Sequence, residues 1–326
     1  MSPAAGGGRG RGGSQRGGGA RGGAARGGPP RSAKPIPSRG GRGSGAPGRD
    51  GSGRGGASGR RGSGGERDRS GKRGAESSGL GGDQVEGRQA VRELLLANRR
   101  PVTSLLMAEG MDQAAILNEI EALATKRRVK VSYVSRRRID LVARTEGPQG
   151  VVAMARPVAE TSFETLCEPS PGGGKPFLLV LDGITDPHNL GALLRSAECA
   201  GVTGVVLPRH RSAHLSPTVA KVAAGAIEYL PMALVPGVPN ALQRLSTAGV
   251  WGVGLDGDAP SSLYDLPLGQ EPVALVLGSE GTGLAALTKK RCDALASIPQ
   301  HGSLASLNVA TAGAIACFDI ARRRNG

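Results

Sequence analysis

Three stretches of the chain hold more amides, glycines and charges than a turn requires. In the first, LDGITDPHNLGALLRSAECAG (181–201), Asn189, Gly191 and Arg195 stand at i, i+2 and i+6. A helix starting near Asn189 would carry Arg195 about a turn and a half along. In the second, VALVLGSEGTGL (273–284), Gly278, Gly281 and Gly283 surround Glu280. Glycines there let backbone approach a ligand and leave N–H groups free to bind it. The spacing is GxxGxG rather than the dinucleotide GxGxxG, and no Lys-Ser/Thr follows as in a P-loop. Glu280 would repel a phosphate, so the pattern points to a neutral or cationic ligand. In the third, IPQHGSLASLNVATAGA (298–314), Pro299 and Gly302 impose irregular backbone, and Ser306 is placed to cap the helix that follows, with Asn308 beside it. Singly, each stretch also reads as a cap, a close-packing glycine, a surface arginine or a structural loop.

The surrounding pattern says what positions them. From Phe177 onward short apolar strands alternate with helices: strands at 177–181, 205–207, 250–255, 273–277 and 294–298, helices at 189–200, 216–227, 239–247, 282–290 and 306–323. Such alternation predicts an α/β domain, a mostly parallel sheet covered on both faces, over 177–326. All three polar stretches then fall at strand-to-helix junctions, where open α/β sheets bind ligands. Residues 84–157 read as a smaller α/β unit, with helices at 87–97 and 114–126 and strands at 102–107, 129–134 and 151–155. Residues 158–176, ending in PSPGGGKP, read as a linker.

The first 82 residues contain 31 of the 55 glycines and no aromatic residue, which predicts a disordered tail over 1–83. With 15 Arg and 2 Lys against 4 acids, the tail carries +13 of the net +15, leaving the remainder at +2. The basic pI of 10.6 therefore belongs to the tail. Its Arg-Gly-Gly repeats suit salt-sensitive, sequence-independent contact with RNA phosphates. A second basic loop, PRHRSAHLSP (208–217), offers His210, Arg211 and His214 to RNA, then Ser216 and Pro217 as helix cap and first-turn proline. Four scattered cysteines without CxxC or a His pair imply reduced thiols and no metal. No apolar leader or run of about 18 apolar residues is present, which predicts a soluble cytoplasmic protein without membrane contact.

In order and spacing, NLGALLR, LGSEGTGL and IPQHGSLASLNVATAGA resemble the three motifs of the SpoU/TrmH family of RNA 2′-O-methyltransferases, within the SPOUT class. EGRQAVRELL and GPQGVVA more loosely resemble the small RNA-binding domain of its 23S rRNA guanosine 2′-O-methyltransferase branch. The resemblance covers roughly 84–326. It implies a carboxy-terminal trefoil-knot domain, a homodimer with sites at its interface, S-adenosyl-L-methionine as methyl donor and RNA as substrate. Carried over by motif, Gly278, Gly283, Ile298, Gly302 and Leu307 would bind the cofactor. Arg195 would be the key catalytic residue, as a base or as a grip on the adjacent phosphate, and Asn189, Glu280, Ser306 and Asn308 would orient it and the ribose. The rival readings are a dinucleotide-binding oxidoreductase, a tRNA 2′-O-methyltransferase and a non-catalytic RNA-binding ribosome-assembly factor. The intact set of five polar residues disfavours the last.

Overall fold

A computed structural model of the chain describes residues 79–325 except positions 113, 171, 211, 270 and 305. The predicted disordered tail, up to residue 78, and Arg211 lie outside the described residues. Chain just before the predicted start of the first domain is already part of the fold. Leu80 is buried, Gly82 N–H donates to Leu215 O at 2.6 Å, and Leu215 N–H donates to Leu80 O at 3.0 Å. The tail boundary at 83 is thus a few residues late. One apolar side chain among glycines anchors the segment, and average composition conceals it.

The amino-terminal domain runs β1 (Gln84–Glu86), α1 (Arg88–Ala97), β2 (Val102–Ala108), α2 (Ala115–Lys126), β3 (Val131–Val134), α3 (Arg136–Val142) and β4 (Val151–Ala155). Its sheet has the order β1-β4-β2-β3, antiparallel except for the parallel β2/β3 pair, which leaves β3 at an edge. α1 packs on α2 through Val91, Leu94, Leu95 and Ile120, while Ile139 of α3 covers the other face against Ala108 and Val152.

Next comes α4 (Phe163–Cys167), within the stretch expected to be a linker. Phe163 and Leu166 are buried, Leu166 fills the space a side chain on Gly204 would need, and Thr161 N–H donates to Met232 O at 2.8 Å. The linker reading is corrected accordingly. The Gly/Pro-rich end of the stretch masked an apolar pair at i, i+3, the spacing of a helix face.

The carboxy-terminal domain contains β5 (Phe177–Asp182), α5 (Pro187–Cys199), β6 (Gly204–Pro208), α6 (Pro217–Val222), β7 (Met232–Val235), α7 (Val238–Thr247), β8 (Trp251–Leu255), β9 (Val273–Gly278), α8 (Ala286–Arg291), β10 (Ala294–Ala296) and α9 (Val309–Asn325). All six strands pair in parallel in the order β10-β8-β9-β5-β6-β7. β5, β6 and β9 are buried almost throughout, as expected for apolar runs covered on both faces. β7 was not legible in the sequence, because four apolar residues beside a helical stretch carry no distinguishing period. Ser216 does cap α6, accepting from Val219 N–H at 3.3 Å ahead of Pro217.

Two glycines set how closely the helices approach. A Cβ on Gly191 would lie 2.7 Å from Val222 Cβ, and one on Gly313 would lie 2.4 Å from Leu193 Cδ2. The first brings α6 onto α5, the second brings α9 onto α5. The two domains are joined by a buried ion pair in which Arg100 Nη2 and Nε donate to Glu228 Oε1 and Oε2 at 2.6 and 2.8 Å. Arg100 Nη1 also donates to Gly82 O and Arg156 O, both at 2.5 Å. Removing one partner of such a pair strands the other charge in low dielectric. Glu228→Ala is expected to cost about 3–5 kcal/mol of unfolding free energy in chemical denaturation; a loss below about 1 kcal/mol would refute the importance of this junction.

Candidate active site

The carboxyl ends of β8 and β9 open into a cleft of about 530 Å³. Its floor is made where β9 ends. A Cβ on Gly278 would sit 2.1 Å from the Gly283 carbonyl carbon and 2.2 Å from Leu284 N, so only glycine lets the following loop fold back against the strand. That loop is closed by reciprocal backbone bonds, Ser279 N–H to Gly283 O at 3.0 Å and Gly283 N–H to Ser279 O at 2.9 Å. Gly281 and Gly283 within it have positive φ, 83° and 65°, a region open to glycine at little cost.

The three polar stretches meet at the rim. Asn189, in the first turn of α5 and 8% exposed, donates from Nδ2 to Glu280 Oε2 at 2.7 Å. Its Oδ1 accepts from Asn308 Nδ2 at 3.0 Å, and the same Asn308 nitrogen lies 3.4 Å from Glu280 Oε1. Two amides thus hold one carboxylate, with each side chain contributed by a different junction. Asn308 also caps α9, its Oδ1 accepting from Ala310 N–H at 2.9 Å and Thr311 N–H at 3.2 Å. This corrects the expected cap at Ser306. The helix starts three residues later than its composition suggests, and Asn is as good a cap as Ser. α5 likewise starts earlier, capped by Asp186, which accepts from His188 N–H at 3.0 Å.

Of the expected site residues, Gly278, Glu280, Gly283, Ile298, Ser306, Leu307 and Asn308 line the cleft. Asn189 stands behind it through Glu280. Gly302 is exposed and lies outside the cleft lining. Arg195 is exposed, without a hydrogen bond or ion pair among the described residues. Six residues along α5 from Asn189 amount to about 9 Å of rise and a turn of about 120° away from it. The chain's own fold therefore does not bring Arg195 into the network.

The carboxy-terminal domain matches the SpoU rRNA Methylase family over residues 176–318, and residues 84–161 match the substrate-binding domain of RNA 2′-O ribose methyltransferases. The chain is 43% identical over 246 residues to a Pseudomonas aeruginosa protein named 23S rRNA (guanosine-2′-O-)-methyltransferase RlmB, covering 74% of this chain and 97% of that one. The chain belongs to the SpoU rRNA methylase family. Among solved structures it resembles a putative TrmH-family RNA methyltransferase from Porphyromonas gingivalis, with TM-score 0.60, 31% identity and coverage of 74% and 89% of the two chains. It also resembles an AdoMet-bound rRNA methyltransferase from Sinorhizobium meliloti, with TM-score 0.61, 25% identity and coverage of 73% and 86%. As a SpoU family member it is an RNA 2′-O-ribose methyltransferase that uses S-adenosylmethionine.

The SpoU cleft has a wall that the sequence reading overlooked, formed by Leu255 at the end of β8, by Asp256, Gly257 and Asp258 after it and by Lys289 of α8. The available signal was Asp-Gly-Asp directly after an apolar strand. Asp256 and Lys289 form an ion pair. The hydrogen bond from Lys289 holds the Asp256 carboxyl below the usual carboxylate range, against the opposing effect of burial. With a depressed folded pKa, this stabilisation is present above the unfolded value and is lost as pH falls through the folded one.

Two outcomes follow for the cleft. Gly278→Ala pushes the loop off the strand, and isothermal calorimetry is expected to show S-adenosylmethionine affinity down at least about tenfold, roughly 1.4 kcal/mol; unchanged affinity would remove this glycine from the site. In Lys289→Ala, the Asp256 titration followed by carboxyl NMR is expected to move up toward the ordinary range. A titration that stays put would mean that Lys289 is not what depresses it.

Proposed function

We propose that this chain methylates the ribose 2′-OH of a guanosine in 23S rRNA. The observation that carries the reading is the Asn189–Glu280–Asn308 network, which gathers the three motifs at the mouth of one cleft. The choice of guanosine and of 23S rRNA rests on the name of the Pseudomonas aeruginosa relative, matched along nearly its whole length.

The cleft fits the methyl donor in size, since small-molecule sites commonly run about 300–1,000 Å³. It also fits in chemistry. The crowded backbone at Gly278 leaves no room for a side chain between ligand and strand, and Glu280 on the rim suits a cationic rather than an anionic ligand. Gly278, Gly283, Ile298 and Leu307 would hold S-adenosylmethionine, which supplies a methyl group already activated by its sulfonium.

The protein's own part is then to place the ribose and to manage one proton. Glu280, fixed by two amides, and Ser306, exposed at the rim, orient the sugar. A guanidinium offers donors and no acceptor, so Arg195 serves as a grip on the adjacent phosphate and a polariser of the 2′-OH, with the proton leaving to solvent. Because Arg195 points away from its own network, the complete site is assembled in a homodimer, with Arg195 of a second copy approaching the cleft.

The carboxy-terminal segment is threaded as a trefoil knot in this reading. In support, β10 pairs with β8 while residues 256–263 flank the same segment, Asp256 N–H bonding to Ala296 O and Ser297 N–H to Ser261 O, both at 2.9 Å. The Arg/Gly-rich tail adds non-specific hold on RNA. The working place is the cytoplasm, where ribosomes are made; among the described residues no helix is long and apolar enough to cross a membrane.

The test is methyl transfer from labelled S-adenosylmethionine to rRNA and tRNA from cells lacking this protein, with the modified nucleotide identified after digestion. Label in 2′-O-methylguanosine of 23S rRNA is expected, and label confined to tRNA would replace the substrate. Arg195→Ala is expected to lower transfer at least about 100-fold, the scale of one lost transition-state donor, while S-adenosylmethionine affinity stays within about threefold. Equal loss of both would overturn the role given to Arg195.

A further inference from the structure

Lys126–Arg138 holds seven Lys and Arg residues and no acid, in a region from residue 83 onward whose net charge is only +2. The rest of that region therefore sums to −5. The positive charge of the folded protein is concentrated on one stretch, which comprises the end of α2, the edge strand β3 and the start of α3. A run of charges is most often a solvated face, and part of this one has that explanation. Lys126 complements the carboxyl end of α2, and Arg127 bonds to the Leu95 and Leu96 carbonyls at the end of α1.

The other five do not have that explanation. Arg128 has φ 56° and closes α2 with the pair of bonds that usually calls for glycine, Arg128 N–H to Thr125 O at 3.0 Å and Val129 N–H to Ala124 O at 2.9 Å. A large side chain is kept at a position where glycine would be less strained. Arg136, Arg137 and Arg138 occupy the first turn of α3, where the helix dipole disfavours cations and where they repel one another. Together with Lys130 they are exposed, and none of the five side chains forms an ion pair or hydrogen bond among the described residues. The flanking acids in sequence are Glu121, half-buried and bonded to Tyr133, and Asp140, which is exposed; neither pairs with them. Local stability argues against these cations at several of these positions.

We infer that Arg128, Lys130 and Arg136–Arg138 form a track for the phosphate backbone of the RNA substrate along the open edge of β3. Lys130 and Arg136 flank the strand, whose four residues span about 13 Å at a rise of about 3.3 Å per residue, room for more than one phosphate. Tyr133 lies between them, with its ring exposed and its hydroxyl donating to Glu121 Oε1 at 2.9 Å, and so offers a fixed face for an unstacked base. The inference rests on the RNA methyltransferase reading and adds to it which surface of the amino-terminal domain carries the substrate.

The test uses the full chain, with the RNA that wild type methylates. Two variants are compared: Arg136→Ser/Arg137→Ser/Arg138→Ser, and Arg128→Gly. The triple variant is expected to raise KM for RNA at least about tenfold and to flatten the log–log salt dependence by about 2, at roughly 0.7 per lost single-strand phosphate contact. Its Kd for S-adenosylmethionine is expected to match wild type. Arg128→Gly is expected to melt at the same or a higher temperature and yet bind RNA about two- to fivefold more weakly, an opposition that a structural role would not produce. Wild-type KM and salt dependence in both variants would overturn the track while leaving the methyltransferase reading intact. Absence of RNA methylation by the wild-type protein itself would overturn both.

Discussion

The carboxylate of Glu280 is the point on which the site depends. A charged group at the rim of a cleft has many solvated rotamers, and it is defined only if donors hold it. Asn189 and Asn308 supply those donors, and each is itself fixed, Asn189 by burial in the first turn of α5 and Asn308 by capping α9. The cap is therefore not a local matter. The same amide that starts the last helix also ties it to the first and second motifs, so the order of the carboxy-terminal segment and the order of the site are one constraint.

Close packing makes this possible. Gly191 and Gly313 let α5, α6 and α9 approach until side chains fill the spaces where a Cβ would sit, and Gly278 lets the loop after β9 return to the strand. Three glycines without a shared sequence pattern thus set how closely α6 and α9 lie on α5 and how tightly the loop after β9 folds back. The parallel sheet supplies the frame, since its fully buried strands permit little sliding.

Charge is divided between two jobs. Paired charges build the fold: Arg100 with Glu228 between domains, and Asp256 with Lys289 at the cleft. The exposed arginines of α3 and the lone Arg195 have no partner among the described residues, and it is these that an anionic polymer can neutralise. An enzyme for ribose methylation needs both kinds, a rigid pocket held by paired groups for the donor and unpaired cations for the acceptor's phosphates.

Much of this was legible without coordinates. The alternation of apolar strands with helices fixes the parallel α/β class through periodicity alone, and the three motifs stand out because their residue types exceed what turns require. Which residue caps α9 was not legible, because Ser306 and Asn308 are both competent and only the start of the helix decides. Nor was the helix in the supposed linker, whose two apolar side chains acquire meaning only beside Gly204. The Asp256–Lys289 wall was missed for a related reason, since its members lie 33 residues apart and meet only because β8 and β9 are neighbours in the sheet. Sequence by itself determined the elements and the chemical vocabulary of the site, both of which follow from local pattern. Tertiary structure alone decided which of those groups touch, because contact between distant residues depends on strand order and on glycine-limited approach; it also left Arg195 outside the network of its own chain.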